Sequence, residues 1–196
     1  MACAANYGWA NRQILMDRVR RVFEEFFRGS AESLGLGLVY DVAHNIAKRE
    51  IHTIEDQEVE VCVHRKGATR AFGPGRKEVP ERYRAMGQPV LVPGSMGSAS
   101  YLLLGTDLAM SETFGSTAHG AGRRMSRTAA LKATRGRSIA GELRERGVSV
   151  RAEGRQTLGE EAPEAYKDID EIVDVLHASG ISKRVARMTP LGCLKG

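Results

Sequence analysis

Through residues 9–28 the apolar side chains Leu15, Val19, Val22, Phe23 and Phe26 recur at three- and four-residue steps, the stripe of an amphipathic helix. Gly29-Ser30 stops it. Residues 36–43 are short, apolar and rich in Gly and Val and read as a strand, while residues 58–63 alternate with period two like a half-buried strand. Residues 51–54 pair with that strand through the polar turn Glu55-Asp56-Gln57. Residues 65–76 then form a long, basic, glycine-punctuated loop that presents side chains rather than packing them. Further along, the pattern predicts a short helix at 80–86, strands at 89–93 and 101–104, helices at 122–133 and 138–146, and a strand at 148–150. A last helix begins at Asp168, whose spacing to Glu171 suits a capping box, carries Ile169, Ile172, Val173 and Leu176 inward, and ends at Gly180. No repeat or clean linker divides the chain. The expectation is one α+β domain with mixed β-sheets flanked by helices.

Composition narrows the class. At 196 residues the chain can bury one good core, or two small ones, without a disulfide or a structural metal. Cys3, Cys62 and Cys193 are odd in number, far apart and outside any CxxC or CxxH pairing, and read as reduced thiols. No stretch approaches a transmembrane helix and the first residues lack a secretory pattern, so a cytoplasmic protein with no membrane partner is expected. The formal charge is only +5, but Arg123, Arg124, Arg127, Lys132, Arg135 and Arg137 concentrate cations where they attract phosphates. No Walker or dinucleotide fingerprint occurs, which disfavours an ordinary P-loop enzyme or dehydrogenase.

Four segments can carry chemistry. His44-Asn45 stands where a strand ends and a loop begins, a common place for a metal-ligating imidazole, although most histidines bind none. His64 opens a run with Arg65, Lys66, Thr69 and Arg70 that fits an anion or, equally, a solvated surface. His52 and His177 read as exposed and inert. The small residues of Pro93-Gly94-Ser95-Met96-Gly97-Ser98-Ala99-Ser100 let backbone N–H groups approach phosphate oxygens, though such a loop is also a common turn. The densest segment is Gly115-Ser116-Thr117-Ala118-His119-Gly120-Ala121-Gly122-Arg123-Arg124-Met125-Ser126-Arg127. A glycine-flanked histidine is accessible, a following helix would aim its N-terminus at a neighbouring anion, and Arg123 and Arg127, four apart, would share one face and grip phosphates.

Taken in order, Tyr40-Asp41-Val42-Ala43-His44-Asn45, His64-Arg65-Lys66-Gly67-Ala68-Thr69-Arg70-Ala71, Pro93-Gly94-Ser95-Met96-Gly97 and Gly115 to Arg123 resemble the RtcB family of tRNA-splicing ligases. The resemblance runs from Ala4-Ala5-Asn6-Tyr7-Gly8-Trp9 to Lys195-Gly196. It implies an RtcB-like fold without the family's N-terminal region, which holds an aspartate, a cysteine, two histidines and a glycine-Asn-His motif. Met1 falls where family members have an internal methionine, as in a truncated fragment, a misassigned start or one half of a split enzyme.

The implied activity is a GTP- and Mn²⁺-dependent joining of RNA 3′-phosphate or 2′,3′-cyclic phosphate ends to 5′-hydroxyl ends through a histidine-GMP intermediate. His44 would ligate Mn²⁺, and His119 would be guanylylated. Asn45, Pro93, Gly94, Ser95, Met96, Ser100, Gly120, Ala121, Gly122 and Lys195 would contact the nucleotide, and Lys66, Arg123 and Arg127 would stabilise phosphate charge. Nitrogen and oxygen donors suit Mn²⁺. The implied partners are RNA, as tRNA exon halves or broken ends, GTP, an archaease-type activating protein and a separate N-terminal ligase fragment. Two alternatives stay open: a histidine-dependent nucleotidyl hydrolase using the same loop, and a non-catalytic RNA- or nucleotide-binding fragment.

Overall fold

A computed structural model describes residues 2–196, apart from the side chain of Arg155. Its contacts divide the chain into two compact units that meet in sequence between Arg70 and Ala71. The α+β class holds, with small sheets flanked by helices, and the sheets are all-antiparallel or all-parallel within themselves.

In the first unit, α1 spans Ala2–Phe27, longer than its apolar stripe predicts, and none of its described residues is buried. Val22 and Phe26 are 63% and 77% exposed, so the stripe forms a helix without a covered face. Phe26 instead meets Phe27 edge to face, the ring centroids 4.9 Å apart. The strand expected at 36–43 is absent; that segment has no regular structure. Side chains of α1 hold it: Arg20 Nε donates to Leu36 O at 3.1 Å, and Arg12 Nε pairs with Asp41 at 2.6 Å.

The strands β1 (Ile46–Ile54) and β2 (Gln57–Arg65) form an antiparallel hairpin in which Ile54 faces Gln57. Glu55 and Asp56 alone make the turn, with φ of 49° and 63°, the left-handed pair that suits the twist of a two-residue hairpin. His52, expected to be exposed, is 3% exposed and lies 3.0 Å from Glu50. Arg65 grips the same carboxylate with two bonds of 2.7 and 2.8 Å. These three side chains fill one buried cluster because a guanidinium fork matches both oxygens of a carboxylate. Burial alone would raise the Glu50 carboxyl, but the bonds from Arg65 and His52 outweigh it and hold the group below its ordinary value. The expected presenting loop at 65–76 is thus corrected: Arg65, Thr69, Ala71 and Phe72 are buried, and β3 covers Ala68–Arg70.

The second unit is built on an antiparallel sheet of β4 (Pro89–Pro93), β5 (Ser100–Gly105) and β8 (Ser182–Met188), in the order β4-β5-β8. Alternate residues of the first two strands, Val90, Val92, Tyr101 and Leu103, point into a core closed by Ile169 and Val173 of α7 (Ile169–Ala178). The last helix forms where its sequence pattern predicts, although its cap bonds the Asp170 N–H rather than that of Glu171. Asp168 caps it by accepting the Asp170 N–H at 2.8 Å, and Gly180 at φ 77° follows its end.

Between β5 and β8 lie α3 (Asp107–Glu112), β6 (Ser116–Ala118), α4 (Arg127–Ala133), α5 (Ile139–Glu145), β7 (Ser149–Ala152), α6 (Arg155–Glu160) and a 3-10 turn at Pro163–Ala165, with α2 (Glu81–Arg84) before β4. The strand β9 (Gly192–Lys195) runs parallel to β7. A second core of Met96, Ile139, Leu143, Val148, Val150, Leu158 and Ala162 lies under this pair. Each large side chain in it contributes roughly 1.5–3 kcal/mol.

Candidate active site

The loop from Gly94 to Ala99 leaves β4 and returns in β5, and it is fixed at several points. Ser95 N–H donates to Ser98 Oγ at 2.6 Å, the two serine hydroxyls are 2.9 Å apart, and Met96 reaches down into the second core. Gly94 is required by close approach, since a Cβ there would sit 2.2 Å from Ala99 O. The loop's backbone is thereby held in one shape while its small side chains leave it accessible.

The segment containing His119 passes directly beside this loop. Ala121 N–H donates to Pro93 O at 2.9 Å, and the Ala121 methyl packs in the first core. On its other side the segment pairs with the chain after the 3-10 turn: Lys167 N–H donates to Gly122 O at 3.0 Å, Arg124 N–H to Ala165 O at 2.9 Å, and Arg123 bridges Tyr166 in antiparallel sense. His119 itself is half-buried. Before it in the chain, Thr117 accepts the Ser182 hydroxyl at 2.7 Å, so the backbone is tied on both sides of His119.

Here the expected helix is corrected. Residues 120–126 are not helical, and α4 starts at Arg127 behind its cap Ser126, whose hydroxyl accepts the Ala129 N–H at 3.1 Å. The glycines at 120 and 122 and the cross-chain pairing outcompete the helix. Its N-terminus therefore does not begin at the histidine, and Arg123 and Arg127 do not share a helical face.

Arg123 is already committed within the protein. Its Nε donates to Met125 O at 3.1 Å, one terminal nitrogen to Glu161 Oε1 at 3.1 Å and to the Tyr166 hydroxyl at 3.2 Å, and the other to Glu160 O at 2.6 Å. Tyr166 in turn donates to Glu161. Burial pushes the Tyr166 hydroxyl above its ordinary value and the bond to Glu161 adds to the push, so it stays a protonated donor at neutral pH. Arg127 is 72% exposed at its side chain, with Glu160 and Glu161 oxygens 3.9 and 4.0 Å away. Arg137, another of the expected cations, pairs with Glu142 and Glu164.

Pro93, Gly94, Ser95, Met96, Ser100 and Lys195 come together around one open cleft of about 360 Å³, with Glu161, Tyr166 and Cys193 in its walls. Lys195 is brought in by the pairing of β9 with β7, and its ammonium stands 3.9 Å from Glu161. The volume lies in the range of small-ligand sites. It offers backbone amides, two serine hydroxyls, one phenol, one ammonium and one carboxylate. Glu161 and Tyr166 escaped the sequence reading, since neither lies in a periodic or motif-bearing stretch. The only hint was the acidic pair Glu160-Glu161 within reach of so many arginines.

His44, Asn45 and Lys66 belong to the other unit. His44 and Asn45 are exposed, with Asn45 Nδ2 and His44 Nε2 3.1 Å apart, and they precede β1 rather than follow a strand. Lys66 is exposed in the short connection between β2 and β3. Among the described residues no group of three or more His, Cys, Asp or Glu side chains is placed to hold a metal. One imidazole makes no coordination shell, so these residues by themselves do not fit Mn²⁺.

The sequence model of the family described as tRNA-splicing ligase RtcB matches residues 1–196. The chain belongs to the RtcB family. It is 59% identical over 196 residues to the tRNA-splicing ligase RtcB of Archaeoglobus fulgidus, covering all of this chain and 41% of that protein. The RtcB ligases of Methanocaldococcus jannaschii and Pyrococcus abyssi are 55% and 56% identical over 196 residues, again covering the whole chain but only 20% and 21% of their own lengths. The chain thus spans between about a fifth and two fifths of these RtcB relatives. No helix among the described residues is long and apolar enough to cross a membrane.

Proposed function

We propose that these 196 residues form the C-terminal, nucleotide-handling part of an RtcB-type ligase catalytic domain, acting in the cytoplasm on RNA with 3′-phosphate or 2′,3′-cyclic phosphate and 5′-hydroxyl ends, such as tRNA exon halves. The observation that carries this reading is the cleft shared by Pro93 to Met96, Ser100 and Lys195, with the His119 segment bonded to its Pro93 wall.

In this reading His119, as neutral imidazole, attacks the α-phosphorus of GTP, a phosphorus–nitrogen bond forms, and pyrophosphate leaves. An oxygen of the RNA 3′-phosphate then displaces the imidazole, taking the GMP and regenerating His119. The 5′-hydroxyl of the second RNA end attacks the activated 3′-phosphorus, losing its proton and expelling GMP. The Gly94 and Met96 backbone amides and the Lys195 ammonium neutralise phosphate charge, and Arg127 and Lys66 serve phosphates of GTP or RNA. Arg123 acts by fixing Glu161 and Tyr166 at the cleft wall. His44 would supply one imidazole toward Mn²⁺, with Asn45 beside it, and the remaining ligands would have to come from elsewhere in the ligase. An archaease-type activating protein is a further partner of this reading.

The test is a chimera carrying these residues in place of the matching segment of the Archaeoglobus fulgidus relative, incubated with α-labelled GTP and Mn²⁺. The protein should take up label in an acid-labile bond and join a 3′-phosphate RNA to a 5′-hydroxyl RNA, and His119→Ala should abolish both with little loss of stability. Label retained in full by His119→Ala would remove the histidine from the mechanism.

A further inference from the structure

A second cleft, of about 520 Å³, opens beside the first and shares Ser95, Tyr166 and Pro190 with it. Four cations line it, Arg124, Arg146, Lys167 and Arg187, against the acids Glu164, Asp168 and Asp170. The acids are already engaged. Glu164 pairs with Arg137, Asp170 pairs with Arg187 and accepts the Tyr101 hydroxyl, and Asp168 caps α7. Arg124, Arg146 and Lys167 make no ion pair among the described residues. Arg124 donates only to the Glu164 backbone carbonyl at 2.8 Å, and Glu142, the acid whose charge acts with Arg146, is bonded twice by Arg137.

Both remaining cations are positioned by the site already described. The Lys167 backbone bonds Gly122, three residues from His119, and Arg146, at the end of α5, reaches within 3.7 Å of where a Cβ on Gly97 would stand. A groove in which three cations outside any ion pair face one carboxylate outside any ion pair, Asp168, and which shares walls with a nucleotide-sized cleft, suits an extended polyanion better than a single phosphate.

We infer that this second cleft carries the backbone phosphates of the single-stranded RNA end that receives GMP, through Arg146 and Lys167 with Arg124 beside them. The inference rests on the ligase reading above. That chemistry needs an RNA 3′-phosphate delivered within bonding distance of the histidine, so its strand must approach through a groove that opens onto the nucleotide cleft. Contacts of this kind hold the backbone without reading bases.

The test uses the double variant Arg146→Glu/Lys167→Glu, the milder Arg146→Gln/Lys167→Gln, and Lys77→Glu/Lys183→Glu as a control of equal charge change at exposed positions outside both clefts. Affinity for a labelled 3′-phosphate oligonucleotide, measured by anisotropy on the 196-residue chain across a salt series, should fall roughly tenfold or more in the first variant. The slope of log affinity on log salt should lose about 1.4 for the two contacts in the neutral variant. The control should keep most of the affinity. In the chimera, GMP uptake should be unchanged at all GTP concentrations while joining needs more RNA. Unchanged RNA affinity in both cleft variants, or an equal loss in the control, overturns the inference. A raised GTP requirement with RNA binding intact also overturns it, by assigning these cations to the triphosphate. Absence of GMP uptake in the unmutated chimera would instead overturn the ligase reading itself.

Discussion

His44 and His119 both occupy positions where an imidazole is displayed rather than packed, yet the structure surrounds them very differently. His44 stands exposed next to Asn45, in a unit whose buried polar cluster turns His52 and Arg65 inward onto the Glu50 carboxylate. His119 stands in a segment tied to Pro93 on one side and to the 165–167 chain on the other, with acid, phenol and guanidinium arranged beside it. The nucleotide side of the proposed chemistry is preorganised within this chain, whereas the metal side is represented by a single nitrogen. Buried ion pairing builds architecture in the first unit, and part-buried ion pairing shapes a cleft wall in the second.

The sharpest break between the two regions is expected with the 196-residue chain on its own. It should join no RNA, and calorimetry should detect only weak Mn²⁺ binding, because the described residues place no group of three ligands together. The chimera should do both. Metal-dependent joining by the isolated chain would show that His44 has found substitute ligands, with His64 and Asp41 the first to replace.

The next effect concerns stability. Arg65→Met leaves Glu50 buried without its guanidinium and should cost about 3–5 kcal/mol in urea unfolding at pH 7, with lost hydrogen-exchange protection centred on β1 and β2. The Glu50 carboxyl is depressed in the folded protein, so its contribution is present above its unfolded pKa and is lost as pH falls through the lower folded one. The gap between the two proteins should therefore narrow below about pH 4. A constant gap across that range would mean that the arginine acts by packing alone.

In the second unit the same kind of substitution should be felt in rate. Arg123→Lys keeps the charge but cannot serve Met125 O, Glu161, Tyr166 and Glu160 O together, so joining by the chimera should fall about 10²-fold through misplacement of the cleft wall. The smallest effect belongs to Arg127→Lys. Its exposed guanidinium lies 3.9 Å or more from its acids, and a loss of roughly three- to tenfold is expected if it grips a phosphate bidentately. Full activity in Arg127→Lys marks it as a solvated helix residue.

What the sequence revealed follows the range of the forces involved. The last helix was legible because its apolar stripe, its cap Asp168 and its stop at Gly180 are local signals, and the hairpin was legible from alternation and a polar turn. The burial of His52 was not, because the Glu50 and Arg65 that enclose it are 15 residues apart and meet only through the register of β1 and β2. The strands β8 and β9 escaped for a related reason. β8 is mostly polar and exposed and β9 is only four residues long, so neither carries a readable apolar alternation, and each is a strand because a distant partner, β5 or β7, offers it an edge. In the site, the glycine-serine loop and the His119 segment announced themselves by composition. That Glu161 and Tyr166 complete the wall depends on a turn at Pro163 that folds the chain back onto Arg123.

In the proposed reaction His119 carries the nucleotide. This role is tested most directly by incubating the chimera with GTP and Mn²⁺ in the absence of RNA, digesting it under mildly alkaline conditions and locating the added mass by fragmentation. One GMP is expected on the peptide containing residues 115–123, borne by His119 and discharged when a 3′-phosphate RNA is supplied. A GMP found on Lys195 or Lys66, or a His119 adduct that RNA does not discharge, would contradict it.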